Sequence, residues 1–407
     1  MTRNVDDILI FIVIFIIFFI SSIPAFFFYL ILPLVAILLF NKYKISAKYV
    51  SSFFPSLLLL FLILFFIVHF FLAHYKSYSY VLGTVISLLI CLSLIQKSNY
   101  KVVERCIILF GSIQLFFAIW YLLSFSSFFA IVHYFLPTEL CSKIVSFHSE
   151  GSNVGINSQT SPLALYLSLY IGVIYIKYQK KMNVSIILLL LIAFFIILTT
   201  SRRGALIFTS LGVLSLIGLV RKYSFMKVMQ FVALTVLLSI LFIYIVSASG
   251  IELSIFDRFN IEDIDFSDYD SVNKLSSSRL SLIVHAYNYF LESPIIGHGF
   301  KFFFDVKGQD VHNTFLQLLC ESGIVGTSII LWFVFYNLIK TLKLILKNSV
   351  IEDEILFSFY VQFVYLSMFF IENPLSDRFC FLIYMVAIAF LYNQLLSTKL
   401  INNSYLK

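Results

Sequence analysis

Charge is what this chain has least of. Only 12% of its 407 residues are Asp, Glu, Lys or Arg, about half the fraction a soluble globule carries, so a water-exposed domain is excluded as the main architecture. Cysteine is also uninformative: Cys91, Cys106, Cys141, Cys320 and Cys380 form no CxxC pair. All but Cys141 lie in or beside apolar runs, which argues against a disulfide framework and against a metal site. No AxA-like cleavage site follows the opening "MTRNVDD" and its apolar run, so the N-terminus reads as an uncleaved first span. There is no internal repeat.

What is abundant is apolar: 61% of residues are hydrophobic, and mean hydropathy is +0.99. The expectation is an all-α, polytopic membrane protein. The net charge of +7 falls mostly in short links between apolar runs, where cations set orientation, so no nucleic-acid partner follows from it. The lipid bilayer is the expected surrounding.

A span needs about 20 mostly apolar residues. Such runs lie near 8–22, 24–40, 53–73, 80–95, 106–129, 162–177, 184–200, 204–220, 228–248, 314–337, 355–371 and 379–396. That makes twelve spans, or eleven if residues 8–40 form one kinked element, with both termini on one side. The links "NKYKISAK", "QKSNYKVVER", "KYQKK", "RKYSFMK" and "KTLKLILK" each hold three cations and fall on the same face. By the positive-inside rule that face is cytoplasmic. Residues 1–161 divide off as N-terminal spans plus a first outer loop at 130–161, and 162–407 as the region with the chemistry-bearing motifs.

Parity then places "TSRRG" at the outer face, between the spans ending near 200 and beginning near 204. Arg202 and Arg203 there run against the charge trend. An arginine at the bilayer centre costs roughly 2.5–3.5 kcal/mol, and an outer turn removes that cost. Five of the eight arginines fall outside (Arg202, Arg203, Arg258, Arg279, Arg378) but only Lys76, Lys143, Lys274, Lys301 and Lys307 of twenty lysines. Arginine's planar fork binds phosphate or carboxylate bidentately, which points to an anionic ligand outside.

The one large outer loop spans 249–313, with ten acidic and five basic residues. Its acidic run "IEDIDFSDYD" reads as solvated surface. Beyond it, Leu280, Ile283, Val284, Tyr287 and Leu291 recur at helical spacing and predict an amphipathic helix lying on the membrane surface. Arg279 in its first turn opposes the helix dipole, so either solvent screens it or an anion lies beside it. Next, His312 and Asn313 stand at the mouth of a span containing Glu321, Gly323 and Gly326. Glu321 is expected to be an interior hydrogen-bonding group, and the glycines to admit another helix closely.

In this order, "TSRRGAL", "SRLSLIVHAYNYFLESPIIGHGF" and "VHNTFLQLLCESGIVG" resemble the O-antigen polymerase and O-antigen ligase superfamily of bacterial envelope polysaccharide assembly over roughly residues 195–335. The resemblance implies a glycan donor on undecaprenyl diphosphate and a reaction at the periplasmic face of the inner membrane, without cofactor or metal. It implies arginines that hold the diphosphate and a histidine that acts at the acceptor hydroxyl: Arg203, Arg279 and His312, with Arg202 as the alternative to Arg203. Arg202, Asn313 and Arg378 are the expected substrate-binding residues, Arg378 at even odds with an interfacial anchor.

Within that superfamily a polymerase joins repeat units on the carrier, while a ligase passes the polymer to lipid A core; "HNTFLQLLCESG" favours the polymerase. A chain-length regulator and a flippase are the implied protein partners. A transporter or flippase is the rival from another class, and it should show two related halves.

Overall fold

The computed structural model describes residues 100–157, 159–200, 202–221, 279–347, 351–375 and 378–404. The expected spans at 8–22, 24–40, 53–73, 80–95 and 228–248, and the acidic run at 261–270, lie outside the described residues. Among the described residues every regular element is a helix: α1 Tyr100–Leu123, α2 Phe125–Val132, α3 Thr138–Ser149, α4 Thr160–Tyr178, α5 Val184–Thr199, α6 Arg203–Arg221, α7 Arg279–Glu292, α8 Phe302–Lys307, α9 Thr314–Lys347, α10 Asp353–Met368 and α11 Arg378–Ser404. Of these, α1, α4 and α9 are long and apolar enough to cross a bilayer, and α5, α6 and α11 carry shorter apolar stretches.

Helix α4 is the axis of the bundle. Nearly every residue from Leu163 to Ile176 is buried, because α1, α5, α6 and α10 all pack on it. Among lipid-immersed helices the hydrophobic effect gives little, and close van der Waals fit decides association. Here the fit is tyrosine into glycine: the Tyr170 ring fills the space over Gly111 of α1, and the Tyr360 ring of α10 lies over Gly172 of α4 and Gly212 of α6. The buried Tyr360 hydroxyl donates to the Ser168 carbonyl at 2.8 Å, so the ring fills a slot without leaving its polar end unpaired.

Two ends of the bundle have different chemistry. At one end the Lys177 ammonium pairs with Glu104 at 2.9 Å. At the other end lie the start of α4, the turn between α5 and α6, the start of α9 and the turn after α10. Helix direction alternates along α4, α5 and α6 accordingly.

Several elements differ from the periodicity reading. The span expected at 106–129 is a helix that stops at Leu123 and restarts at Phe125 after Ser124, whose backbone is extended (φ −158°, ψ 90°). The outer loop expected at 130–161 holds α3 and an aromatic cluster in which the His148 ring stacks on Phe125 at 3.5 Å. The helix beginning near 314 continues through "KTLKLILK" to Lys347, since Lys and Leu propagate helix well and the interior hydroxyl of Thr341 bonds the Asn337 carbonyl.

The sharpest departure is inside α9. Gly323 has φ 61° and ψ −168°, which only glycine adopts at low cost. The helical ladder opens there and the loop after α7 enters it. Ile324 N donates to Pro294 O at 2.8 Å and Val325 N to Ile295 O at 3.2 Å, while His298 N and Gly299 N donate to Cys320 O and Glu321 O at 3.0 and 2.8 Å. A Cβ at Gly323 would collide with the Ile295 carbonyl, and one at Gly297 with the Glu321–Ser322 peptide. Gly323 therefore admits a loop rather than a helix, because the loop supplies the hydrogen bonds that the broken ladder loses. The stretch Ile324–Lys347 is by itself long enough for the roughly 30 Å apolar core of a bilayer.

Helix α7 packs by Leu282 and Ala286, which join Phe303, Val311 and Cys320 in a small core. Val284, Tyr287 and Leu291 are 42%, 50% and 56% exposed, and Ile295 and Ile296 beyond them are exposed too. The helix thus has two apolar faces, one packed on the protein and one uncovered among the described residues; part of the periodic stripe read from the sequence is that second face.

Candidate active site

The turn between α5 and α6 is built by hydroxyls. Thr199 and Thr200 donate to the carbonyls of Ile196 and Ile197 at 2.8 and 2.6 Å, closing α5. Arg202 then caps α6 with its carbonyl, which accepts from Leu206 N at 3.3 Å. Its guanidinium reaches across the bundle end: Nε donates to Thr160 Oγ1 at 2.7 Å and Nη1 to Glu372 Oε1 at 2.9 Å. Arg203 opens α6 and Arg378 opens α11; the side chains of both lie outside the described residues.

The start of α9 is tied to the turn after α10. Thr314 N donates to Phe369 O at 2.9 Å and Thr314 Oγ1 to Glu372 O at 2.7 Å. Asn313 is the N-cap, accepting from Leu316 N at 3.1 Å, as its side chain suits, and its amide reaches Phe370 O at 3.4 Å. His312, just before it, has a left-handed backbone (φ 56°) and brings Nδ1 to 3.3 Å from Glu372 Oε2. Arg279, at the start of α7, adds its charge to the field at the same carboxylate.

The structure thus brings Arg202, Arg279, His312 and Asn313 together around a residue that sequence reasoning passed over, Glu372. The only available signal was an acid opening the short turn "ENPLSDR" opposite several arginines. Burial pushes the Glu372 carboxyl upward, but the bond from His312, the charges of Arg202 and His312 and the charge of Arg279 outweigh it and hold the group below its ordinary value. It is therefore a carboxylate at neutral pH, and a carboxylate can only accept. The contact is therefore a donation from His312 Nδ1, which turns the other ring nitrogen, Nε2, away from the carboxylate.

Glu321 is 2% exposed and accepts from Gln317 Nε2 at 2.9 Å, so the interior glutamate is bonded within its own helix. His298 presents Nε2 to Tyr289 O at 2.8 Å and stacks on Phe302, inside the α7–α8 elbow.

Apolar helices around a buried axis, with a cluster of cations and a histidine–carboxylate pair at one end, define an integral membrane protein with a charged polar cluster at one bundle end. Residues 186–331 match the family model described as O-antigen ligase. This match over roughly a third of the chain supports the O-antigen polymerase and ligase superfamily and, with it, an enzymatic, glycosyltransferase-like character. The match contains Arg202, Arg203, Arg279, His312 and Asn313 but not Glu372 or Arg378. No curated protein matches the chain.

Proposed function

We infer that the protein is a polymerase that joins oligosaccharide repeat units carried on undecaprenyl diphosphate, at the periplasmic face of the inner membrane, with release of the lipid diphosphate. The observation that carries this reading is the convergence of Arg202, Arg279 and His312 on one bundle end. Breaking the sugar–phosphate bond moves negative charge onto the diphosphate, and Arg279 with Arg202 or Arg203 stabilises it as it develops. The acceptor hydroxyl gives its proton to His312 Nε2 as its oxygen bonds the anomeric carbon. Asn313 and Arg378 contribute to holding the donor, and the uncovered face of α7 meets the bilayer surface from which the lipid arrives. A chain-length regulator and a flippase are the expected partners.

The family description as an O-antigen ligase supports a second reading, transfer of finished polymer to lipid A core. Gene deletion separates the two. A polymerase mutant leaves single-repeat lipopolysaccharide, whereas a ligase mutant leaves bare core with polymer accumulating on the carrier. Normal polymer on normal core sinks both. In complementation, Arg202→Ala, Arg203→Ala, Arg279→Ala and His312→Ala each test one residue, with membrane insertion checked alongside; a variant with full activity removes its residue from the site.

A further inference from the structure

Residues 310–312 form a strap that presents His312, and the strap holds a conformation it would not choose. A left-handed backbone at a non-glycine residue costs on the order of 1–2 kcal/mol, so His312 at φ 56° needs restraint from both sides. Downstream, Asn313 and Thr314 tie it to the 369–372 turn. Upstream, the restraint is one side chain of α9. Gln317 Oε1 accepts from Val311 N at 3.2 Å, and Gln317 Nε2 donates to Asp310 Oδ1 at 2.8 Å and to Glu321 Oε1 at 2.9 Å.

Both amide hydrogens and the carbonyl are thereby used, and the amide can sit only one way round. Glu321 fixes it from below, and Asp310 is itself fixed by the buried Lys301 ammonium at 2.9 and 3.2 Å. Lys301 and Gln317 are 3% and 2% exposed, so the amide is shielded from the water that reaches His312. A shielded, fully paired amide is a rigid device.

We propose that Gln317 is a positioning residue for the transfer reaction: through the Val311 amide and Asp310 it holds the strap so that His312 Nε2 faces the acceptor hydroxyl. The proposal rests on the reading of His312 as base. The Gln317 side chain bonds Val311, Asp310 and Glu321 and makes no hydrogen bond to His312 among the described residues. Its loss moves the base without disturbing the arginines, and a misplacement of about 1 Å at a reacting group costs about 100-fold.

The test uses full-length protein in nanodiscs, with Gln317→Leu and the unbranched Gln317→Met as a second variant in case leucine crowds the helix. Two quantities are read: amide exchange of the peptide containing Val311, and transfer kinetics with a polyprenyl-diphosphate oligosaccharide as donor. We expect exchange at Val311 to speed by about 5- to 30-fold, as loss of one hydrogen bond allows. Turnover should fall by about 100-fold with donor KM unchanged. Unchanged exchange overturns the proposal, as does faster exchange with unchanged turnover, or a raised KM with turnover intact. If wild-type protein transfers no glycan, the functional reading fails instead, while exchange still decides whether Gln317 holds the strap.

Discussion

The Glu372 carboxylate bridges Arg202 and His312, one oxygen to each, at 2.9 Å from Nη1 and 3.3 Å from Nδ1. The side chain joins Arg202, the alternative to Arg203 at the leaving diphosphate, to the group expected at the acceptor. Glu372→Gln keeps the shape but removes the charge that fixes the ring's tautomer. Turnover should fall by about 10- to 100-fold, the range typical when the outer partner of a metal-bound histidine is mutated. The fold should persist, because Thr314 bonds this turn through main-chain carbonyls. Transfer assays with thermal melts in detergent check both halves.

Acid should loosen the same end of the bundle. Glu372 is held below its ordinary value of 4.5 in the folded protein, so its contribution is fully present above that value and is lost as pH falls through the lower folded value. Melting temperature measured from pH 7 to pH 3 should drop below about 4.5, and Glu372→Gln should flatten that part of the drop. An identical acid profile in the variant counts against the assignment.

Gly323→Ala and Gly297→Ala should each be severely destabilising, by several kcal/mol, since both combine a positive φ with a backbone collision. Gly308→Ala is the control, because it shares the left-handed φ but has open space around it. Its cost should stay near the roughly 1–2 kcal/mol of the conformation alone. Thermal stability by fluorescence-detected chromatography ranks the three.

The uncovered face of α7 should contact lipid. A tryptophan at Tyr287, in a background with Trp120 and Trp332 replaced by phenylalanine, should be quenched by bromine placed high on the acyl chains and less by bromine placed deep, as for an interfacial helix. Quenching equal to that of a water-exposed site would place the helix off the membrane.

A topology reporter fused after Lys301 should read as periplasmic, and one fused after Lys181 as cytoplasmic, because the Arg202 and Lys177 ends are opposite ends of α4 and its neighbours. A cytoplasmic signal after Lys301 reverses the orientation on which the functional reading depends.

Helices were legible where hydropathy alone shapes them: 162–177, 184–200 and 204–220 match α4, α5 and α6 within three residues at each end. Hydropathy failed where hydrogen bonding decides. The break at Ser124 lies in an apolar stretch with no proline, and the opening at Gly323 depends on carbonyls and amides of a loop that no side-chain pattern encodes. The question left open at Arg279 has an answer in three dimensions, since the charge of Glu372 lies within reach of its helix start. Glu372 was hidden for a related reason: its partners His312 and Arg202 are 60 and 170 positions away in the chain, and nothing local marks it.

The interruption of α9 at Gly323 divides that helix into two parts with separate work. The long stretch Ile324–Lys347 has the length of a bilayer crossing and packs one face into the bundle, where Asn337 and Thr341 bond Tyr392 and Gln362. The short piece before it, with Asn313, Thr314 and Gln317, is fastened to loops and turns instead. Because the joint between them is stitched by main-chain atoms, the side chains on either side of it are left for different surroundings within one helix.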